Sequence, residues 1–98
     1  MTYKIIITDI VREELKSIAK YIAEDNPDRA VTFIRELRSY FTKRLLDMPL
    51  AGKVVKGKIR MLLYKRYIIL YAVNEKQKLV SLLHIFAGGQ DWENYITS

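Results

Sequence analysis

Basic side chains and a single histidine are the residues of this sequence that could do chemistry. Lys56, Lys58 and Arg60 follow one another closely, and His84 comes later in the chain. RNA cleavage requires a base for the 2′-hydroxyl, positive charge around the phosphate and an acid for the leaving oxygen. Histidine can exchange a proton near neutral pH. These four residues could form a ribonuclease site if Arg60 and His84 lie on one face of a sheet.

Each of these residues also has a structural interpretation. A lone histidine among apolar neighbours more often packs within the fold or anchors a tail than takes part in a reaction. Arg60 could form an ion pair with Asp91 or Glu93, and Trp92 could close over the core. Lysines along the rim of a hairpin also protect strand edges from pairing with other chains.

Three tyrosines in the second half of the chain allow two interpretations. Tyr64, Tyr67 and Tyr71 could form a platform on which RNA bases stack. The preference of tyrosine for strands explains their presence equally well.

We expect no cofactor and no metal ion. One histidine with scattered carboxylates cannot make a plausible zinc site, and the chain has no cysteine. The pair Gly88-Gly89 lacks the spacing and the following lysine of a phosphate-binding loop.

Composition and charge restrict the classes of partner. The 98 residues are 50% hydrophobic, which predicts one folded domain over residues 1–98. The formal net charge of +6 favours nucleic acid, an anionic membrane or an acidic protein partner. No apolar run approaches the roughly 20 residues of a membrane helix, and neither predicted helix shows a one-sided cationic face beside an exposed apolar one. We therefore expect a cytoplasmic protein that does not bind membranes.

The elements that must position these residues begin with a strand and a helix. Residues 3–7 form a short β-branched run, which predicts a strand. Thr8 then offers a capping oxygen. The apolar residues that follow have the spacing of one helical face: Val11, Leu15, Ile18, Ala19 and Ile22.

A second helix follows at once. Asn26 can cap its first turn, and Pro27 suits the first helical position, where the missing N–H costs nothing. The apolar pattern predicts that this helix runs to about Leu46 and ends before Pro49. The two helices should form a hairpin that buries its apolar faces on something else.

The second half of the chain contains the predicted strands of the sheet on which the two helices pack. A loop over 50–57 should precede three strands over 58–63, 67–73 and 78–86, joined by short polar links. Such strands form an antiparallel meander. The fold class is therefore α+β, with both helices packed on one sheet face. Residues 67–73 are apolar on both faces, so the C-terminal tail, a second copy or a partner must cover the other face.

In this order the residues resemble the RelE/ParE superfamily, also called plasmid-stabilisation proteins. The match begins with Leu15, Ile18, Tyr21, Ile22, Asp25-Asn26-Pro27, Ala30 and Phe33. It continues with Leu45, Pro49, Gly52, Ile59-Arg60, the segment 67–73 and Leu82-Leu83-His84. No single piece is specific, but the ordered set covers nearly the whole chain.

The resemblance implies a toxin of a type II toxin–antitoxin pair. The antitoxin of such a pair has a DNA-binding part and an acidic, flexible part that wraps the toxin. The complex represses its own operon, and the toxin is linked to operator DNA only through the antitoxin. A basic surface suits an acidic wrapping segment, and exposed apolar groups suit a segment that folds on binding.

The superfamily divides into two activities. RelE-like members cleave mRNA on the ribosome, whereas ParE-like members poison DNA gyrase without a recognised nuclease site. The arginine that RelE-like enzymes carry on the last strand is missing here, and no tyrosine directly follows His84. We therefore predict a ParE-like gyrase poison; a RelE-like endonuclease and a non-toxic co-repressor are the alternatives. The residues that could contact antitoxin or target are Arg60, Tyr67, Tyr71, His84, Phe86 and Trp92.

Overall fold

The computed structural model describes residues 2–88 and 92–97, with only the backbone of Thr97. The elements in chain order are β1 (Lys4–Ile7), α1 (Asp9–Ala23), α2 (Pro27–Asp47), β2 (Lys53–Lys56), β3 (Ile59–Tyr64), β4 (Tyr67–Asn74), β5 (Leu79–Ala87) and α3 (Trp92–Thr97). The strands form one sheet in the order β1-β5-β4-β3-β2. β1 runs parallel to β5, and the other neighbours are antiparallel. The predicted α+β fold, with a helix hairpin packed on the sheet, is confirmed.

Side-chain caps start both long helices where the sequence predicts. The Thr8 hydroxyl accepts a hydrogen bond from the Val11 N–H at 3.4 Å and donates to the Leu82 carbonyl at 2.8 Å. The Asn26 side chain accepts from the Arg29 N–H at 3.0 Å. Each cap satisfies an N–H that has no partner within its helix. Thr8 also ties the start of α1 to the sheet.

The predicted loop over 50–57 contains a strand that the sequence analysis missed. β2 pairs antiparallel with β3, with an irregularity between Val54 and Lys56, so the meander has four strands and not three. The strand has four residues, two of them valines between lysines, which is too short to show an alternating pattern. It lies at the edge of the sheet, where lysine discourages further strand pairing.

The core lies between the helix hairpin and one face of the sheet. Its buried side chains come from both long helices and from β3, β4 and β5: Val11, Leu15, Ile18, Phe33, Leu37, Phe41, Leu45, Leu62, Ile69, Tyr71, Val80, Leu82 and Ile85. Full burial of one such aliphatic or aromatic side chain contributes about 1.5–3 kcal/mol. The same residues carry the helical and strand periodicities in the sequence.

A bulge in β5 sets which side chains face the helices. β4 pairs Leu70 with His84 and Tyr71 with Leu82, so Leu83 is an extra residue. Tyr71 and Leu82 belong to the core on the helix side. Leu70 and His84 therefore face the opposite side of the sheet, which we call the far face.

The C-terminal tail covers part of the far face. In α3, the Tyr95 ring lies edge-on to the His84 ring, with centroids 4.3 Å apart, and 6.1 Å from the Phe86 ring. Ile96 is buried. Leu63 of β3 remains 56% exposed on this face.

No helix in the described parts of the chain is long and apolar enough to cross a membrane.

Candidate functional site

The outer edge of β5 is occupied by a side chain where the neighbouring strand stops. β1 pairs with β5 as far as Leu82. Beyond that point, Glu14 of α1 accepts a hydrogen bond from the Ile85 N–H at 2.8 Å, and its other oxygen lies 2.9 Å from His84 Nδ1. A carboxylate can only accept, so Nδ1 carries the proton of this hydrogen bond. Glu14 therefore fixes the His84 ring and joins α1 to the edge of the sheet.

Aromatic rings enclose the other sides of His84. The Phe86 ring stacks on it with centroids 5.2 Å apart, and Tyr95 meets it edge-on. The His84 side chain is 18% exposed. These contacts anchor the C-terminal helix to the sheet, and Phe86 and Trp92 are themselves half-buried.

Arg60 lies on the helix side of the sheet, away from His84. It pairs across the strands with Tyr71, a core residue of the helix side. Its guanidinium donates to the carbonyls of Leu50 at 3.0 Å and Gly52 at 2.8 Å, so it holds the loop between α2 and β2. Asp91, one ion-pair partner considered from the sequence, lies outside the described residues.

Arg60 and His84, which could have shared one face of the sheet, therefore lie on opposite faces. Lys56 and Lys58 are exposed on either side of Gly57, in the turn that joins β2 to β3. The structure does not bring the four ribonuclease candidates to one phosphate. The sequence could not decide this because β3 and β5 are apolar on both faces, so alternation does not reveal which residues face the helices.

Tyr71 is buried and cannot be a contact residue. Its side chain is 0% exposed, and its hydroxyl accepts a hydrogen bond from the Gly52 N–H at 2.8 Å. Burial raises the pKa of the Tyr71 hydroxyl, and the Gly52 hydrogen bond partly opposes that shift. The selection of Tyr71 as a partner contact was wrong, because its polar atom serves the fold.

The remaining tyrosines of the proposed platform pack under α2. Tyr64 and Tyr67 lie 6.1 and 5.4 Å from the Phe33 ring, and Tyr40 lies 4.7 Å from Tyr64. Lys65, at the tip of the β3–β4 hairpin, places its ammonium 5.5 Å from the Tyr64 ring. The half-buried Tyr40, Tyr64 and Tyr67 therefore form an aromatic cluster around the buried Phe33, and Tyr67 also lines a surface pocket beside α1.

A groove along the outer side of the helix hairpin was not predicted. Two adjoining cavities of about 410 and 470 Å³ share Ala19 and Ile34. Apolar side chains form the floor: Leu15, Ala19, Ala23, Ala30, Val31 and Ile34. The charged side chains that line the two cavities are all basic: Arg12, Lys16, Lys20 and Arg38. We call this feature the hairpin groove.

The sequence signal for the hairpin groove is the spacing of three basic residues. Arg12, Lys16 and Lys20 recur every four residues, which places them along one side of α1. Glu13 pairs with Lys16 on this side of α1 at 3.4 Å, so the basic face also carries an acidic residue. Acidic residues between them in sequence, such as Glu13 and Glu14, hid the pattern.

Among the described residues, no three histidine, aspartate or glutamate side chains are grouped so that they could hold a metal ion. The hairpin groove and the exposed charged ends of the sheet are two surfaces that a partner could contact.

Comparison with known proteins agrees with this architecture. A family model described as the ParE toxin of the type II toxin–antitoxin system parDE matches residues 5–92. No curated protein is similar enough in sequence to be matched.

Three solved structures are similar in fold. A toxin–antitoxin complex, RelBE2 of Mycobacterium tuberculosis, has a TM-score of 0.69 at 18% identity and covers 89% of this chain and 99% of its own. A chromosomal ParDE system of P. aeruginosa has a TM-score of 0.74 at 16% identity, covering 88% and 96%. A double mutant of the E. coli toxin RelE in the free state has a TM-score of 0.66 at 15% identity, covering 97% and 92%. Identities this low show a shared fold.

Proposed function

The chain belongs to the ParE toxin family of type II toxin–antitoxin systems, and from that premise we propose that it inhibits DNA gyrase. We propose further that an acidic helix of its cognate antitoxin neutralises it by binding in the hairpin groove. The observation that supports gyrase over the ribosome is the separation of Arg60 and His84 on opposite faces of the sheet.

An RNA-cleaving site needs its groups to converge on one phosphate. A general base must come within about 3 Å of the proton that it removes, and charged donors must reach the same phosphate. Arg60 donates to two backbone carbonyls, and His84 is held by Glu14 and enclosed by aromatic rings. This arrangement favours the ParE-like activity, which requires no nuclease site.

The shape and charge of the hairpin groove support an acidic helical occupant. α1 has 15 residues and is therefore about 22 Å long, so a helix of the same length would fill the groove from end to end. Apolar side chains of that helix would bury Val31, which is 60% exposed, together with Ile34. Its acidic side chains would meet the basic residues that line the groove. Such complementarity speeds association and selects the partner.

The activity is tested with purified components. When the chain is added to gyrase and negatively supercoiled plasmid, we expect cleaved plasmid to accumulate. No cleavage should occur when gyrase is omitted. When the same preparation of the chain is added to translating ribosomes, their mRNA should stay intact.

Two outcomes would contradict the proposal. Cleaved mRNA without any effect on gyrase would support the RelE-like alternative, and His84→Gln should then abolish cleavage. If neither target is affected while antitoxin binding is intact, the chain acts as a binding partner and co-repressor only.

A further inference from the structure

Exposed lysines are concentrated at one end of the sheet. The start of β1, the β4–β5 turn and the β2–β3 turn lie together there, because Lys4 pairs with Leu79 and Ile59 pairs with Ala72. These three segments carry the exposed Lys4, Lys56, Lys58 and Lys76 and the half-buried Lys78, and we call these five residues the lysine end. Glu75 is the acidic residue among residues 2–4, 56–58 and 75–78.

Local structure fixes the backbone of the lysine end. The β2–β3 turn uses Gly57 at a φ of +54°, a conformation that glycine adopts without strain. In the β4–β5 turn, the Asn74 side chain accepts from the Gln77 N–H at 3.0 Å. Lys78 has a φ of +57°, and its ammonium lies 5.1 Å from the centre of the Tyr3 ring. Lys58, Lys76 and Lys78 therefore lie in turns of defined shape, whereas Lys4 and Lys56 lie in β1 and β2.

The dimensions of the lysine end match a polyanion. Adjacent strands lie about 4.8 Å apart, so the five strands from β1 to β2 span about 19 Å. A DNA duplex carries about eleven phosphate charges over that distance when both strands are counted, because it has roughly one charge per 1.7 Å. Flexible lysine stems can each reach a phosphate along such a row.

We infer that the lysine end binds the sugar–phosphate backbone of duplex DNA without reading its sequence. An ammonium is a point charge and lacks the fork of donors with which arginine recognises guanine. Arg60 lies nearby, but its guanidinium donates to Leu50 and Gly52. Operator recognition by an antitoxin is a separate matter, since contacts to phosphate carry no sequence information.

The residues of the lysine end favour duplex DNA over the other polyanions. Single-stranded nucleic acid binds through aromatic rings on which its bases stack. The aromatic residue within these segments is Tyr3, which packs against the core and has Lys78 over its ring. An acidic protein helix is matched by the hairpin groove, which shares no lining residue with the lysine end.

The test compares two triple variants that remove the same charge. Lys56→Gln/Lys58→Gln/Lys76→Gln removes three of the five lysine charges of the lysine end. Arg12→Gln/Lys16→Gln/Lys20→Gln removes three of the four basic charges that line the hairpin groove. Binding to a mixed-sequence duplex is measured by fluorescence anisotropy over a range of salt concentrations. We expect the lysine-end variant to bind at least about tenfold more weakly near 0.1 M salt, and its salt slope to fall by about 2.7, or about 0.9 per lost phosphate contact.

Several outcomes separate this inference from its rivals. The groove variant should keep most DNA binding, and the lysine-end variant should keep its thermal stability and antitoxin binding. Equal weakening by both variants would show that net charge alone attracts DNA and would overturn the inference. Tighter binding of single-stranded RNA than of duplex DNA would overturn it too. DNA binding without gyrase inhibition would leave the lysine end standing and remove the proposed function.

Discussion

Gly52 lies where the β2 strand, Tyr71 and Arg60 meet. Its N–H donates to the Tyr71 hydroxyl and its carbonyl accepts from the Arg60 guanidinium. A Cβ at this position would collide with the Tyr71 hydroxyl and lie 2.7 Å from the Met61 carbonyl oxygen. Position 52 therefore has no room for a side chain. The Tyr71 hydroxyl is required because the buried Gly52 N–H needs an acceptor.

A pair of glycine substitutions tests this requirement at the residue scale. We expect Gly52→Ala to lower the free energy of unfolding by about 3 kcal/mol, because overpacking adds to the loss of a buried hydrogen bond. Gly57→Ala is the matched control: nothing lies within 4 Å of the added carbon, and only its φ of +54° opposes the change. It should cost about 1 kcal/mol. Equal losses in chemical denaturation would show that the Tyr71 contact does not restrict Gly52.

At the scale of elements, α1 has a different role on each of three sides. Glu14 joins one side to the open edge of β5, and Leu15 buries its apolar face in the core. Arg12, Lys16 and Lys20 line the hairpin groove on the remaining side. The division follows from the helical repeat, which separates residues that are adjacent in sequence.

A charge placed in the hairpin groove should weaken antitoxin binding without unfolding the chain. Val31→Asp puts a carboxylate on the apolar floor, and we expect it to reduce affinity for the cognate antitoxin at least about tenfold, equivalent to about 1.4 kcal/mol. Ser39→Asp is the matched control, since Ser39 is also exposed on α2 but does not line the groove. Titration calorimetry measures both. Unchanged affinity for Val31→Asp would place the antitoxin elsewhere.

The whole molecule combines a basic surface with two buried or half-buried tyrosines, Tyr71 and Tyr67. Burial raises the pKa of both Tyr71 and Tyr67 above that of a free tyrosine. The neutral forms therefore stabilise the folded state fully below the ordinary tyrosine pKa of about 10. As the pH rises above that value, the unfolded chain releases these protons first and stability falls.

This linkage predicts alkaline unfolding that depends on Tyr71. We expect the wild-type chain to lose stability as the pH rises above about 10. Tyr71→Phe should be less stable at neutral pH by about 1–3 kcal/mol, because the Gly52 N–H loses its buried acceptor, yet its stability should fall less steeply with pH. Denaturation at a series of pH values measures both. An unchanged alkaline slope would show that Tyr71 does not control it.

Much of the fold could be predicted because its signals are local. Thr8 and Asn26 cap the helices, the apolar spacing of α1 and α2 faces the core, and short polar links join the main strands. The ordered residues also indicated the family. Each of these features depends on neighbours in sequence, through hydrogen bonds within a turn or a repeat of 3.6 or 2 residues.

Tertiary structure alone decided which side chains meet. Strands apolar on both faces do not show which residues face the helices, so Arg60 and His84 could be separated only by the strand register. The burial of Tyr71 under the helices and its hydrogen bond to Gly52 join residues far apart in the chain. The hairpin groove exists only once α1 and α2 pack together, because residues of both helices line it.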